Sequence, residues 1–180
     1  AVSLAHRAPA SAVIAEALRL QTDAPSRSRF DRLIGRSPLA RDARSWFFGA
    51  LGEMEVAREL AALGPKWRVF HALPVGTHGS DIDHLVIGPA GVFTINTKHH
   101  AGRSVWVGER RLMVDGQRTD HLRNSEHEAS RAARLLSTAL GSTVDVSPLL
   151  AIVGANHITE KAKPARVIVV SASRMTRWLR

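Results

Sequence analysis

The residues that invite chemistry stand in two adjoining runs, Asp81-Ile82-Asp83-His84-Leu85-Val86-Ile87 and Val92-Phe93-Thr94-Ile95-Asn96-Thr97-Lys98, separated by Gly88-Pro89-Ala90-Gly91. The runs read as strands over Ser80 to Ile87 and Val92 to Lys98, and the Pro/Gly connection suits a hairpin turn. Strand side chains alternate faces, so Asp83 lies with Leu85 and Ile87, while Asn96 and Lys98 lie with Val92 and Thr94. If Ile87 pairs with Val92, then Asp83 stands opposite Asn96 and Asp81 opposite Lys98. Two acids, an amide and a lysine then converge on one face at the far end of an apolar hairpin. A slip of one residue, or a bulge, would break that set. The bland reading is a cross-strand ion pair between Asp81 and Lys98 on a solvated sheet end, which contributes little.

Two helices must flank this hairpin. Asp42 to Leu63 reads as a long helix with Asp42 as N-cap, ended by Gly64-Pro65. At about 100° per residue, Phe47, Ala50, Leu51, Met54, Ala57, Leu60 and Ala61 share an apolar arc, and Glu53 falls inside it. A carboxylate on a core face is costly unless it finds a charge, a metal or hydrogen bonds, so Glu53 is a site candidate. Asn124 to Leu140, closed by Gly141, is the second helix. Glu128 heads its apolar row with Ala132, Leu135 and Ala139, while His127, Arg131 and Arg134 project away. Ser125-Glu126-His127-Glu128 also fits a capping box, in which Glu128 would satisfy the helix start.

The remaining elements complete an α/β order: a first strand over Trp67 to Leu73, a small hairpin from Ser104 to Val107 and Arg110 to Val114, strands near Leu149 to Val153 and Arg166 to Ser171, and a last helical turn through Trp178. That order predicts an α/β domain with a central mixed β-sheet flanked by helices. Residues 1–41 read as an extension, held loosely or docked as an arm, in which breakers and arginines dominate. Residues 42–180 form the domain proper.

Composition narrows the classes. The chain has 180 residues, and 25 Lys+Arg against 16 Asp+Glu give a formal charge of +9. At 44% hydrophobic and 23% charged it is an ordinary globular composition, against global disorder or collagen-like repeats. The absence of cysteine excludes disulfides, thiolate metal sites and cysteine nucleophiles, and leaves the cytoplasm as the default compartment. No apolar run approaches the roughly 20 residues that span a bilayer, and no signal peptide is visible, so a soluble protein is expected. The first residue is Ala1, not Met, so a processed or excised chain is an expectation too. The basic surplus points to an anionic partner, nucleic acid above all, although only Lys66, Lys98, Lys161 and Lys163 are lysines and the arginines also fit a compositional bias.

Gly52-Glu53, the strand Gly79-Ser80-Asp81-Ile82-Asp83-His84, the turn Gly88-Pro89-Ala90-Gly91-Val92-Phe93 and the strand end Asn96-Thr97-Lys98 together resemble the nuclease-related (NERD) domain, itself similar to the PD-(D/E)XK nucleases. The likeness runs from about Gly49 to Trp178. It implies a restriction-endonuclease-like core of helix, three strands, helix and strands. Carried over, Glu53 matches the first-helix acid, Asp83 the metal-binding aspartate and Lys98 the catalytic lysine. Asn96 stands where the wider superfamily has Glu or Asp, and Glu128 where glutamine is usual, so a carboxylate relocated from position 96 to the helix is conceivable.

The resemblance implies metal-dependent hydrolysis of phosphodiesters, with DNA preferred to RNA as partner and Mg²⁺ (or Mn²⁺) as cofactor. Asp83, the Thr97 carbonyl, and Glu128 or Asn96 would hold the metal, with Glu53 contributing directly or through water. Lys98 would orient or deprotonate the attacking water and stabilise charge on the phosphoryl oxygens. Arg103, Arg110, Arg111, Arg118 and Arg123 would track the backbone, with the other arginines of the extension and of residues 103–134 around the site. The alternative, motivated by Asn96, is a catalytically inactive domain that binds nucleic acid or a protein partner. His99 and His100 are expected at the surface or on substrate, His84 as a satisfied structural histidine, and Gly76 to Gly79 not as a phosphate loop.

Overall fold

The computed structural model describes residues 3–75 and 81–180. The Gly76 to Gly79 stretch and the Gly79-Ser80 lead of the strand motif lie outside the described residues. A short 3-10 turn, Leu4–His6, precedes helices α1 (Ser11–Asp23), α2 (Arg29–Leu33) and α3 (Arg41–Leu60). Strands β1 (Arg68–Pro74), β2 (Asp81–Gly88) and β3 (Gly91–His99) follow, then β4 (Ser104–Val107), β5 (Leu112–Val114) and β6 (Gln117–Thr119). Helix α4 (His121–Leu140), strands β7 (Ser147–Val153), β8 (His157–Glu160) and β9 (Ile168–Ser171), and helix α5 (Ala172–Leu179) complete the chain.

Among the described residues the strands form a five-stranded sheet in the order β1-β2-β3-β7-β9 and a four-stranded sheet in the order β6-β5-β4-β8. The larger sheet is mixed: β1-β2 and β2-β3 are antiparallel, β3-β7 and β7-β9 parallel. This is the expected α/β, restriction-endonuclease-like architecture, and α4 lies in the long crossover that parallel neighbours such as β3 and β7 require. Alternation sorts the core onto two sides. Leu149, Ala151 and Val153 pack with Val56 and Leu60 of α3 and Met175 and Leu179 of α5; Leu150 and Ile152 face the small sheet with Leu122 of α4. No helix among the described residues is long and apolar enough to cross a membrane.

Several boundaries and faces differ from expectation. Helix α3 starts one residue earlier, with Ala40 as its N-cap, so Asp42 is a first-turn acid favouring the helix dipole and not the cap. Its buried residues are Ala43, Ala50, Gly52, Glu53, Val56 and Leu60, whereas Phe47, Leu51 and Met54 of the expected arc are exposed. The small residues face the sheet because the helix lies too close for large ones: a Cβ at Gly52 would stand 3.1 Å from the His99 Cβ and 3.3 Å from Thr97 Cγ2. Strands β6 and β8 escaped the sequence reading because Gln-Arg-Thr and His-Ile-Thr-Glu are short edge strands with little apolar alternation. Helix α4 begins at His121, a turn earlier than Asn124, directly after β6. The capping box at Ser125–Glu128 is thereby overturned: Ser125 is a buried residue inside the helix and caps nothing.

Candidate functional site

The hairpin adopts the expected register, Ile87 opposite Val92 and His84 opposite Ile95. There the β2-β3 ladder ends, although β2 continues beside β1 to the pair Pro74–Asp81. Asp81 and Asp83 therefore do not stand in ladder pairs with Lys98 and Asn96. The β1-β2 pairing is interrupted at the same level: Ala72 falls between His71–His84 and Leu73–Ile82 and adopts a left-handed backbone, φ 47°. A non-glycine residue there costs roughly 1–3 kcal/mol. Asp83 is thus released from regular pairing on both sides, and its carboxylate instead accepts a hydrogen bond from the Thr97 N–H at 2.7 Å.

Asn96 and Glu128 meet across the sheet–helix interface, the Asn96 amide donating to Glu128 Oε2 at 2.6 Å. Thr97 and Asn96 are 7% and 9% exposed. Beside this bond Asn96 Oδ1 and Glu128 Oε1 are buried without a protein hydrogen-bond partner, as is Ser125 Oγ one turn before Glu128 on α4; Thr97 Oγ1, also unpartnered, lies on the opposite face of β3, toward Gly52 of α3. Buried acceptors left in that state cost about 1–3 kcal/mol each, so Asn96 Oδ1 and Glu128 Oε1, joined through one hydrogen bond, keep bonding capacity to spare. Glu53, 7% exposed, arrives from α3 on the other side of the sheet and lines the same hollow as Asp83, Thr97 and Lys98.

Charge crowding sets the protonation. Burial, followed by the charge of Asp83, pushes both Glu53 and Glu128 up to about 8; Lys98 works against the rise in both, as does the Asn96 amide at Glu128. Asp83 is also raised, by burial first. His84 has the opposite shift: fully buried, with its Nδ1 2.8 Å from His71 Nδ1, it is held neutral with a value pushed down to about 3 by burial and then by His71. His100 and His121 stack with their Nε2 atoms 3.2 Å apart, and both are lowered, chiefly by burial, His121 to about 4.

These shifts fix a pH profile for the metal-free protein. The Glu53 and Glu128 carboxyls titrate near 4.5 when unfolded and near 8 when folded, so the folded state holds the extra protons and stability falls as pH rises between those values. The histidines titrate near 6.5 when unfolded and lower when folded, so stability falls as pH drops below 6.5. Between about 6.5 and 8 only the carboxyl effect operates. The unfolding free energy in chelator, followed by denaturation midpoints, should therefore peak near pH 6.5 and decline toward pH 8 by on the order of a few kcal/mol. A flat profile across that window would show that the two carboxyls are ordinary.

Residues 1–41 also contribute, docked as an arm, one of the two expected arrangements. Helix α1 packs on α3; just before it, Ala10 is fully buried with φ 59°, and its backbone hydrogen bond lowers Glu53. Arg7 lies 3.8 Å from Asp81. His127, Arg131 and Arg134 project from α4 away from the core as expected, yet they line a hollow with Glu128 and Asp81. In contrast Arg103, Arg110, Arg111, Arg118 and Arg123 are exposed and lie on or beside the small sheet and the first turn of α4; Arg103 faces Asp115 at 3.6 Å and Arg123 faces Asp120 at 3.1 Å. None of the five lines the hollows that hold Glu53, Asp83 and Glu128.

Among the described residues no three acidic or histidine side chains come together closely enough to cage a cation by themselves. The groups that come together are instead the carboxylates of Asp83 and Glu128 and the amide of Asn96. A sequence model of the nuclease-related domain matches residues 48–153, well over half of the chain, from α3 to the end of β7. No curated protein and no solved structure matches closely enough to stand as a relative.

Proposed function

Because the chain belongs to the nuclease-related domain family, we propose that it hydrolyses DNA phosphodiesters with a divalent metal ion. The observation that carries this reading is the meeting of Asp83, Asn96, Thr97 and Glu128 at the broken end of the β2-β3 ladder, beside a hollow that Asp83 and Thr97 share with Glu53 and Lys98. The donor set suits Mg²⁺ or Mn²⁺. Mg²⁺ takes hard oxygen ligands, uses one or two carboxylates and completes its shell with water and substrate phosphate. Asp83 and Glu128 would supply those carboxylates, and the unpaired Asn96 Oδ1 would add a neutral oxygen; the Thr97 carbonyl is the further ligand that the family resemblance implies.

A bound Mg²⁺ would neutralise the phosphate and acidify a water molecule. The protein's own groups do the rest. Thr97 N–H fixes the Asp83 carboxylate, the Asn96 amide fixes Glu128, and the Ala10 backbone bond restrains Glu53. Lys98, placed at the rim of the same hollow, orients the attacking water and stabilises charge growing on the phosphoryl oxygens.

Incubation of the protein with single-stranded, duplex and branched DNA, in Mg²⁺, Mn²⁺ or chelator, tests the reading. Cleavage should need metal, and Lys98→Ala should lose it by about a hundredfold or more while still binding DNA. Metal-independent binding with no cleavage by the wild type in any reaction would leave the domain a binding module, the reading that the neutral Asn96 favours.

A further inference from the structure

Three hollows meet at the carboxylates. One lies along α4, lined by His127, Glu128, Arg131 and Arg134, and reaches Asp81. The next passes under α1 from Asp81 to Asp83, Glu53 and Trp46. The third runs from Trp46, Glu53 and Asp83 past Lys98 to His99 and His100. Asp81 lines both the first and the second, and Glu53 and Asp83 line both the second and the third, so the hollows adjoin in a row, here called a groove, along the site.

The two arms of this groove differ in chemistry. On α4, positions 127, 131 and 134 share a helical face and present an imidazole and two guanidinium groups, which suit phosphates. The other arm is aromatic. Trp46 shares the helical face of Glu53 and stands seven residues, about 10 Å, before it; it lines both hollows there and remains 41% exposed. His99 borders the same hollow with its ring stacked on Phe48, centroids 5.5 Å apart and planes at 13°. In a duplex the base faces are occupied by neighbouring pairs, and exposed aromatic rings at a phosphodiester site gain nothing from them. An unpaired strand offers free faces, and stacking there is largely independent of sequence. Val13 of α1 lines both aromatic hollows and walls the groove on the side away from the sheet.

We infer that the site takes nucleic acid as an unpaired strand, with phosphates along His127, Arg131 and Arg134 and bases stacked on Trp46 and His99. This deepens the nuclease reading and rests on its nucleic-acid substrate, but binding without cleavage tests it separately. Anisotropy in chelator should show tighter binding of a short labelled oligothymidylate than of a blunt duplex of the same length. Trp46→Ala should weaken the oligothymidylate on the order of tenfold and leave duplex binding unchanged, with Trp46→Phe restoring most of the loss. His99→Ala should act in the same direction and serves if Trp46→Ala unfolds. Arg134→Ala should weaken both ligands and reduce the salt slope by about one. Equal or tighter duplex binding by the wild type, or oligothymidylate affinity indifferent to both aromatic variants, overturns the inference even if the protein cleaves DNA. A strand preference lost on these substitutions, in a protein that never cleaves, leaves the inference standing and removes only the nuclease. Absence of any binding overturns the inference, and the nuclease reading then stands or falls on the cleavage assay in Mg²⁺.

Discussion

Asp83→Asn is expected to abolish metal-dependent cleavage, by roughly a thousandfold or more, while making the metal-free protein more stable at pH 8. The two effects share one cause. Asparagine keeps an oxygen that can accept the Thr97 N–H, now made at 2.7 Å, so the end of β3 stays where it is. What disappears is the charge that a cation needs and that, after burial, does most to raise Glu53 and Glu128. In the variant those two carboxyls should titrate lower, and the decline in unfolding midpoint between pH 6.5 and 8 should shrink. Mg²⁺ should protect the wild type more at pH 8 than at pH 6, since deprotonation and metal binding are linked, and should protect Asp83→Asn at neither. Denaturation with and without Mg²⁺ at both pH values, beside a cleavage assay, checks this. A variant that still cleaves, or that still gains stability from Mg²⁺, would remove Asp83 from the metal site.

Parts of this site were legible in the sequence. The β2-β3 register followed from alternation and one short turn, because every side chain on the hairpin has a fixed face once Ile87 meets Val92. Glu53 was legible from its cost: a carboxylate within a helical face that packs on a sheet has to be balanced. The same helix misled elsewhere, since large apolar residues drew the predicted arc toward Phe47, Leu51 and Met54 while close approach to β3 required Gly52. The end of the ladder at His84, the left-handed Ala72 and the buried Ala10 are products of tertiary packing. No local propensity announces an alanine with positive φ. The role of α4 changed for a related reason: the unseen strand β6 moves the helix start back to His121, and a glutamate that resembled a cap becomes an interior partner of Asn96.

That partnership yields the second large effect. Glu128→Gln should reduce cleavage by roughly a hundredfold to a thousandfold and raise the unfolding midpoint in chelator at pH 8. Glutamine retains an oxygen for the Asn96 amide, now bound at 2.6 Å, and removes a carboxyl that burial holds at about 8. Asn96→Asp alone should not activate the site: it replaces the donor that holds Glu128 with a second carboxylate in direct contact, so one of the two stays protonated and the protein loses stability. The double change Asn96→Asp with Glu128→Gln restores one acid and one amide in exchanged positions. It should recover much of the cleavage lost in Glu128→Gln, a coupling far from additive, as expected for residues joined by one hydrogen bond. Full activity in Glu128→Gln would confine Glu128 to packing, and failure of the double variant to rescue would show that the metal requires the acid on α4 and cannot use one on β3.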